Sequence, residues 1–170
     1  MTEFSFPLAT STWDDAEYDA MQRVIKTGCF TMGPEVEAFE KAFSTFHQTN
    51  YAVMVNSGSS ANLLMIAALF FRSVNPLKPD DEVIVPAVSW STTYTPLQQY
   101  GLKLKFVDID LDTLNMDLDQ LKQAITPKTR LILMVNLLGN PNDFLRVHDI
   151  IAGQDIVMIE DNCESLGAEL

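Results

Sequence analysis

Apolar residues recur every three to four positions between Trp13 and Thr27, where Tyr18, Met21, Val24 and Ile25 share one face, the pattern of an amphipathic helix. Asp14, Asp15 and Glu17 suit the positive end of its dipole, and Gly28 is a stop signal. Met32-Gly33-Pro34 predicts a turn, with Pro34 as the first residue of a second helix whose face carries Val36, Phe39, Phe43 and Phe46. From position 51 the period changes to short apolar runs separated by helical stretches. Tyr51–Val55, Glu82–Pro86, Leu104–Val107, Arg130–Val135 and Ile156–Ile159 read as strands. Between them lie the apolar run ANLLMIAALFF, predicted to be a buried helix, and helices ending near Gly101, over Leu118–Ile125 and over Phe144–Ala152.

The strands are near-continuous apolar runs, not alternating ones, which suits a parallel sheet covered on both faces. Strands alternating with helices predict a doubly wound α/β fold. The expected organisation is an N-terminal helical extension over residues 1–50 and an α/β unit over residues 51–170.

Composition narrows the possibilities. The 170 residues are 47% hydrophobic and 20% charged, which excludes a disordered or collagen-like chain. A net charge of −12 argues against nucleic acid as a partner, because such a field repels phosphate. No run approaches the roughly 20 apolar residues of a membrane span, and MTEFSFPLATSTWDD lacks the form of a signal peptide. Cys29 and Cys163 lie far apart with no CxxC, so neither a disulfide framework nor a metal site is expected, and the setting implied is a reducing cytoplasm.

Ligands of open α/β sheets bind at the carboxyl ends of the strands. After Tyr51–Val55 comes Asn56-Ser57-Gly58-Ser59-Ser60-Ala61, leading directly into a helix. It reads equally as a serine N-cap with a glycine turn and as an anion site built from helix N–H groups and hydroxyls, and the two are compatible. After Glu82–Pro86 comes Trp90, either a core aromatic or a flat platform for a ring-shaped ligand. Asp108-Ile109-Asp110-Leu111-Asp112 resembles a calcium loop but carries Thr113 at the sixth position and Asp119 at the twelfth, so it reads as solvated, capping turn residues. The last strand ends in Glu160-Asp161-Asn162-Cys163-Glu164. Asp161 is either a helix N-cap or the partner of a cationic group such as a protonated ring nitrogen. His47 and His148 suit surface or capping roles, and Cys163 reads as a small buried residue whose thiolate the neighbouring carboxylates disfavour.

The order NSGSSANLL, VIVPAVSWSTTYTPLQQYGLKLKFVDID, TLNMDLDQLKQAITPKTRLILMVNLLGNPNDF and IVMIEDNCESLGAEL resembles the DegT/DnrJ/EryC1/StrS family over nearly the whole chain. These are pyridoxal-phosphate enzymes of fold type I acting on nucleotide-linked sugars. The resemblance implies that Gly58, Ser59 and Ser60 cradle the cofactor phosphate, that Trp90 stacks on the pyridine ring and that Asp161 pairs with its nitrogen. Gly139–Asp143 would close the site from the side. Glu164 stands where the family's aminotransferases tend to carry glutamine, near the cofactor's phenolic oxygen.

VNLLGNPNDF and EDNCESLGA look most like the 4-keto-6-deoxyhexose 3-dehydratase branch, in which a histidine replaces the Schiff-base lysine. The alternatives are a nucleotide-sugar aminotransferase and a non-catalytic module that only self-associates. In the family the lysine or histidine follows the EDN segment by a few tens of residues, so no catalytic residue is expected within positions 1–170, and neither reaction is expected of these residues alone. A homodimer and a nucleotide-sugar substrate are implied. The family's sheet has seven strands, two of them after EDN, which would leave Tyr51–Val55 and Ile156–Ile159 separated by roughly 10–15 Å. The expectation is that this gap closes by re-pairing or is buried against another chain.

Overall fold

In the computed structural model, residues 10–168 are described, and the chain forms two units joined between Met54 and Val55. In the first unit, α1 (Asp15–Thr27) begins with a capping box: Asp14 accepts from Ala16 N, and Glu17 accepts from Asp14 N, each at 2.8 Å. It ends at Gly28 in the left-handed region, φ 68°, where a side chain would be strained. α2 (Pro34–Phe46) has its proline at the first turn. His47 caps its C-terminal end and lies against the rings of Phe43 and Phe46, at 4.4 and 5.0 Å between centroids. No residue of either helix is fully buried.

The second unit is built on a four-stranded sheet of order β2-β1-β3-β4, parallel throughout. Its strands are β1 (Glu82–Pro86), β2 (Lys103–Val107), β3 (Thr129–Val135) and β4 (Val157–Asp161). The helices are α3 (Gly58–Phe71), α4 (Ser91–Gln99), α5 (Leu118–Ala124) and α6 (Phe144–Ile151). Strand alternation divides the core into two. Val83, Val85, Leu131 and Leu133 face Ile66 of α3 and Leu97 of α4. Ile84, Ile132 and Met134 face Leu118 and Leu121 of α5 and Val147 of α6. This is the predicted parallel sheet with helices on both faces.

The chain steps outward from β1 to β2 with α4 on one face. It then steps the other way, over β1 to β3 and on to β4, with α5 and α6 on the opposite face. Reversing direction while keeping right-handed crossovers requires that change of face. The reversal places the topological switch point between β1 and β3, and the carboxyl ends of β1, β3 and β4 lie side by side.

Two expectations are corrected. Tyr51–Val55 forms no strand. Its apolar pattern meets no partner backbone among the described residues; Tyr51 and Val53 are exposed, and Met54 N–H donates to Glu40 Oε1 at 2.8 Å. The helix over ANLLMIAALFF forms, but only one side is covered: Asn62 and Ile66 are buried whereas Leu63, Leu64 and Phe71 are exposed. None of the helices among the described residues is long and apolar enough to cross a membrane.

Candidate functional site

At the start of α3, Ser57 is the N-cap: its Oγ accepts from Ser60 N at 3.2 Å and lies 3.2 Å from Ser60 Oγ. Ala61 N donates to the Ser57 carbonyl. The N–H groups of Gly58 and Ser59 have no partner among the described residues, as the first turn of a helix requires. The serine cap and an anion-suited helix end are therefore present together. A Cβ built on Gly58 would meet nothing within 4 Å, so the protein's own atoms do not demand glycine there.

Asp161 closes β4, in register with Val135 of β3. Its Oδ2 accepts from Asn62 Nδ2 at 2.9 Å and its Oδ1 from Cys163 N at 3.1 Å. Turns, not a helix, follow over residues 163–167, so the helix N-cap reading is overturned; the carboxylate instead holds a tight turn and the buried amide of α3. Trp90 lies at the N-cap of α4, just past β1, and is 75% exposed, which overturns the core reading and leaves the platform reading. On either side of it in sequence, Ser89 Oγ and Thr93 Oγ1 bond at 2.9 Å and Tyr94 Oη donates to the Pro86 carbonyl at 2.7 Å. Burial pushes the Tyr94 phenol up.

The loop between β3 and α6 is tied down by asparagines. Asn136, immediately after β3, accepts from Asn142 N and Nδ2 at 3.0 and 2.7 Å and donates to Glu160 Oε1 and Asn162 Oδ1 at 2.5 and 2.7 Å. Asn115 Nδ2 donates to the carbonyls of Asn140 and Pro141, and Leu137 N donates to Asn115 Oδ1. Within this clamped loop Leu138 takes φ 54° and is exposed, and its N–H donates to Glu164 Oε2 at 2.6 Å. A Cβ on Gly139, at φ 87°, would come 3.3 Å from the Glu164 carbonyl, so the two loops approach closely at a glycine.

Asn62, Asn115, Asn136 and Asn142 were not singled out by sequence pattern, and all are buried. For Asn62 and Asn136 the signal available was an amide inside or directly after an apolar run, where burial obliges a hydrogen-bonded partner.

Cys163 is exposed, not buried as expected from its size. Its thiolate is nonetheless disfavoured: desolvation of the sulfur first, then the Asp161 carboxylate, push the thiol from 9.0 up to about 11. The folded state thus holds this proton more tightly, and folding weakens as pH rises from 9 towards 11. At pH 8, alkylation of Cys163 by iodoacetamide is expected to be about a hundredfold slower than in the denatured chain, read by mass spectrometry of the labelled peptide. Equal rates would show that the carboxylate environment does not act on the sulfur.

The Asp108–Asp112 segment behaves as solvated turn residues: Asp110 Oδ1 accepts from Asp112 N and Thr113 N at 2.8 and 3.1 Å. A cleft of about 450 Å³ lies beyond it, lined by Asp117, Asp143 and Arg146 among others. Its charged groups are already engaged, Asp117 and Asp143 as N-caps of α5 and α6 and Arg146 with Asp119, so its size does not make it the site. Hydrogen bonds from Gln120 hold the Asp117 carboxyl below its usual range. His148 is exposed in the last turn of α6.

This arrangement can be set beside known proteins. Residues 11–170 match the DegT/DnrJ/EryC1/StrS aminotransferase family. The chain is 63% identical over 166 residues to GDP-4-keto-6-deoxy-D-mannose 3-dehydratase of Yersinia pseudotuberculosis, covering 98% of this chain and 42% of that protein. It is 36% identical over 149 residues to 3-oxo-glucose-6-phosphate:glutamate aminotransferase of Bacillus subtilis (strain 168), covering 88% and 32% respectively. The solved structure of E. coli GDP-4-keto-6-deoxy-D-mannose-3-dehydratase with bound hydrated PLP matches with a TM-score of 0.94 at 60% identity, over 98% of this chain and 43% of that one. The chain thus spans less than half the length of these relatives. By sequence over nearly its whole length and by the fold of its sheet and helices, the chain belongs to the DegT/DnrJ/EryC1/StrS aminotransferase family.

Proposed function

We propose that these residues hold pyridoxal phosphate at the carboxyl edge of the sheet, as part of an enzyme that removes the 3-hydroxyl of a nucleotide-linked 4-keto-6-deoxy hexose. The observation that carries this reading is the Asn62–Asp161 bond, which ties the anion-suited start of α3 to a fixed carboxylate at the end of β4. A phosphorylated pyridine needs both ends at once. The donor set fits. Gly58 and Ser59 offer N–H groups unpaired among the described residues, Ser59 and Ser60 offer hydroxyls, and Asp161 offers an anion to a ring nitrogen. Trp90 presents an exposed indole at the end of β1. When bound, pyridoxal phosphate supplies an electron sink, deepest when the ring nitrogen is protonated.

With the cofactor bound, Asp161 would hold the proton on that nitrogen, Trp90 would exclude water from one ring face, and the α3 start would anchor the phosphate. Glu164 holds the Leu138 loop and would face the cofactor's phenolic oxygen. The proton-transferring lysine or histidine of the family's pattern is assigned to no residue among 1–170. The dehydratase reading is preferred to the aminotransferase one because Glu164 replaces the usual glutamine and because the 63% identical relative carries the dehydratase name, against 36% for the aminotransferase. The nucleotide-sugar substrate, a homodimer and a cytoplasmic setting belong to the same proposal.

Equilibrium dialysis of the 170-residue chain against pyridoxal phosphate is expected to show saturable binding, weakened about tenfold by Trp90→Ala through lost stacking. No binding and no melting shift at millimolar cofactor would favour the self-associating module. In the enzyme containing this chain, a GDP-linked 4-keto-6-deoxy hexose is expected to lose its 3-oxygen; a product bearing a new amino nitrogen would favour the aminotransferase.

A further inference from the structure

Asn62 is a buried amide, 5% exposed, in a helix whose other residues after Ser60 are apolar. One turn later on the same face, Ile66 enters the core beside Val83 and Leu131. A leucine at position 62 would continue that stripe and favour the helix, whereas an amide is costly to bury unless bonded. Among the described residues its side chain has one hydrogen-bond partner, Oδ2 of Asp161, 99 positions away in sequence. Cys163 N takes the other carboxylate oxygen. Two donors on two oxygens set the plane of the carboxylate, which retains lone pairs for a third donor.

We infer that Asn62 is the positioning residue of Asp161: it orients that carboxylate towards the cofactor's ring nitrogen and locks it to the phosphate-holding turn of the same helix. The inference rests on the proposed cofactor reading and assigns within it a role to a residue that touches no cofactor atom. Gly58 and Ser59 begin the helix that Asn62 continues, so one rigid element sets the spacing between the anion end and the carboxylate. The register of β4 on β3 sets the other side of that spacing.

The test compares the 170-residue chain with its Asn62→Leu, Asn62→Ala and Asp161→Asn variants. The readouts are pyridoxal phosphate affinity by dialysis, inorganic phosphate affinity, and the ¹⁵N chemical shift of labelled cofactor across a pH titration. Melting without cofactor reports folding, and Asn62→Ala serves if the leucine variant fails to fold. Both Asn62 variants are expected to weaken pyridoxal phosphate binding about tenfold, to leave phosphate binding unchanged and to move ring-nitrogen deprotonation to lower pH. A merely structural amide would not move the nitrogen signal. If Asp161→Asn shifts that signal and neither Asn62 variant does, the positioning role is overturned and the cofactor reading stands. If Asp161→Asn also leaves it unchanged, or the unaltered chain binds no pyridoxal phosphate, the cofactor reading fails and the inference with it.

Discussion

Asp161→Asn is expected to weaken pyridoxal phosphate binding by about a hundredfold, the lower part of the range for removing one member of a buried, hydrogen-bonded charge pair. The bound ring nitrogen is expected to lose its proton at neutral pH, read as a shift in the cofactor's absorption and its ¹⁵N resonance. The substitution also has a local cost. Asn62 Nδ2 and Cys163 N both donate to the carboxylate, one to each oxygen. An asparagine offers one oxygen and one NH2 group, so one donor of the two must face another donor. That mismatch is expected to lower stability without cofactor by about 1–2 kcal/mol. Chemical denaturation measures it separately from binding. An unchanged cofactor spectrum would remove Asp161 from the ring-nitrogen role.

Asn136→Leu is expected to destabilise the second unit by about 3 kcal/mol, read as a lower denaturation midpoint at unchanged slope. The shape is nearly conserved, so the loss comes from hydrogen bonding and not from a cavity. Asn162 Oδ1 would keep Ser165 Oγ, and Asn142 Nδ2 would keep the Val135 carbonyl. Among the described residues Asn142 N would keep no partner, in a residue only 1% exposed whose Oδ1 already lacks one. Glu160 would lose its amide contact at the end of β4. A change below about 1 kcal/mol would show that water replaces these bonds and that the loop is not held by them.

Much of the second unit was legible because parallel strands buried on both faces are written as continuous apolar runs. Glu82–Pro86 appears as β1 without change, and Arg130–Val135 lies within β3 (Thr129–Val135). Tyr51–Val55 carries the same pattern and makes no strand, because pairing is a property of two segments while the pattern belongs to one. α3 shows the same limit in a helix. Its composition predicted burial on every side, and the fold covers only the side of Asn62 and Ile66.

Cys163 was misplaced, and Trp90 was left open between core and platform, for a related reason. Residue type carries a mean preference for burial, whereas actual exposure depends on where a strand happens to stop. Asp161 could be singled out as a carboxylate emerging from an apolar strand, but its partner could not be named. The apolar run around Asn62 marks it as an amide in need of a partner, but nothing near it in sequence says that the partner is Asp161.

By itself the sequence determined most of the local elements, the acidic start and Gly28 stop of α1, the proline start of α2, the acidic balance and the order of motifs that marks the family. These follow from preferences and spacings exerted over a few residues. The tertiary structure alone decided the strand order β2-β1-β3-β4, the asparagine clamps on the β3–α6 loop and the donor that holds Asp161. Those are choices among partners tens of residues apart, made by how the crossovers stack and by the requirement that buried polar groups find one another.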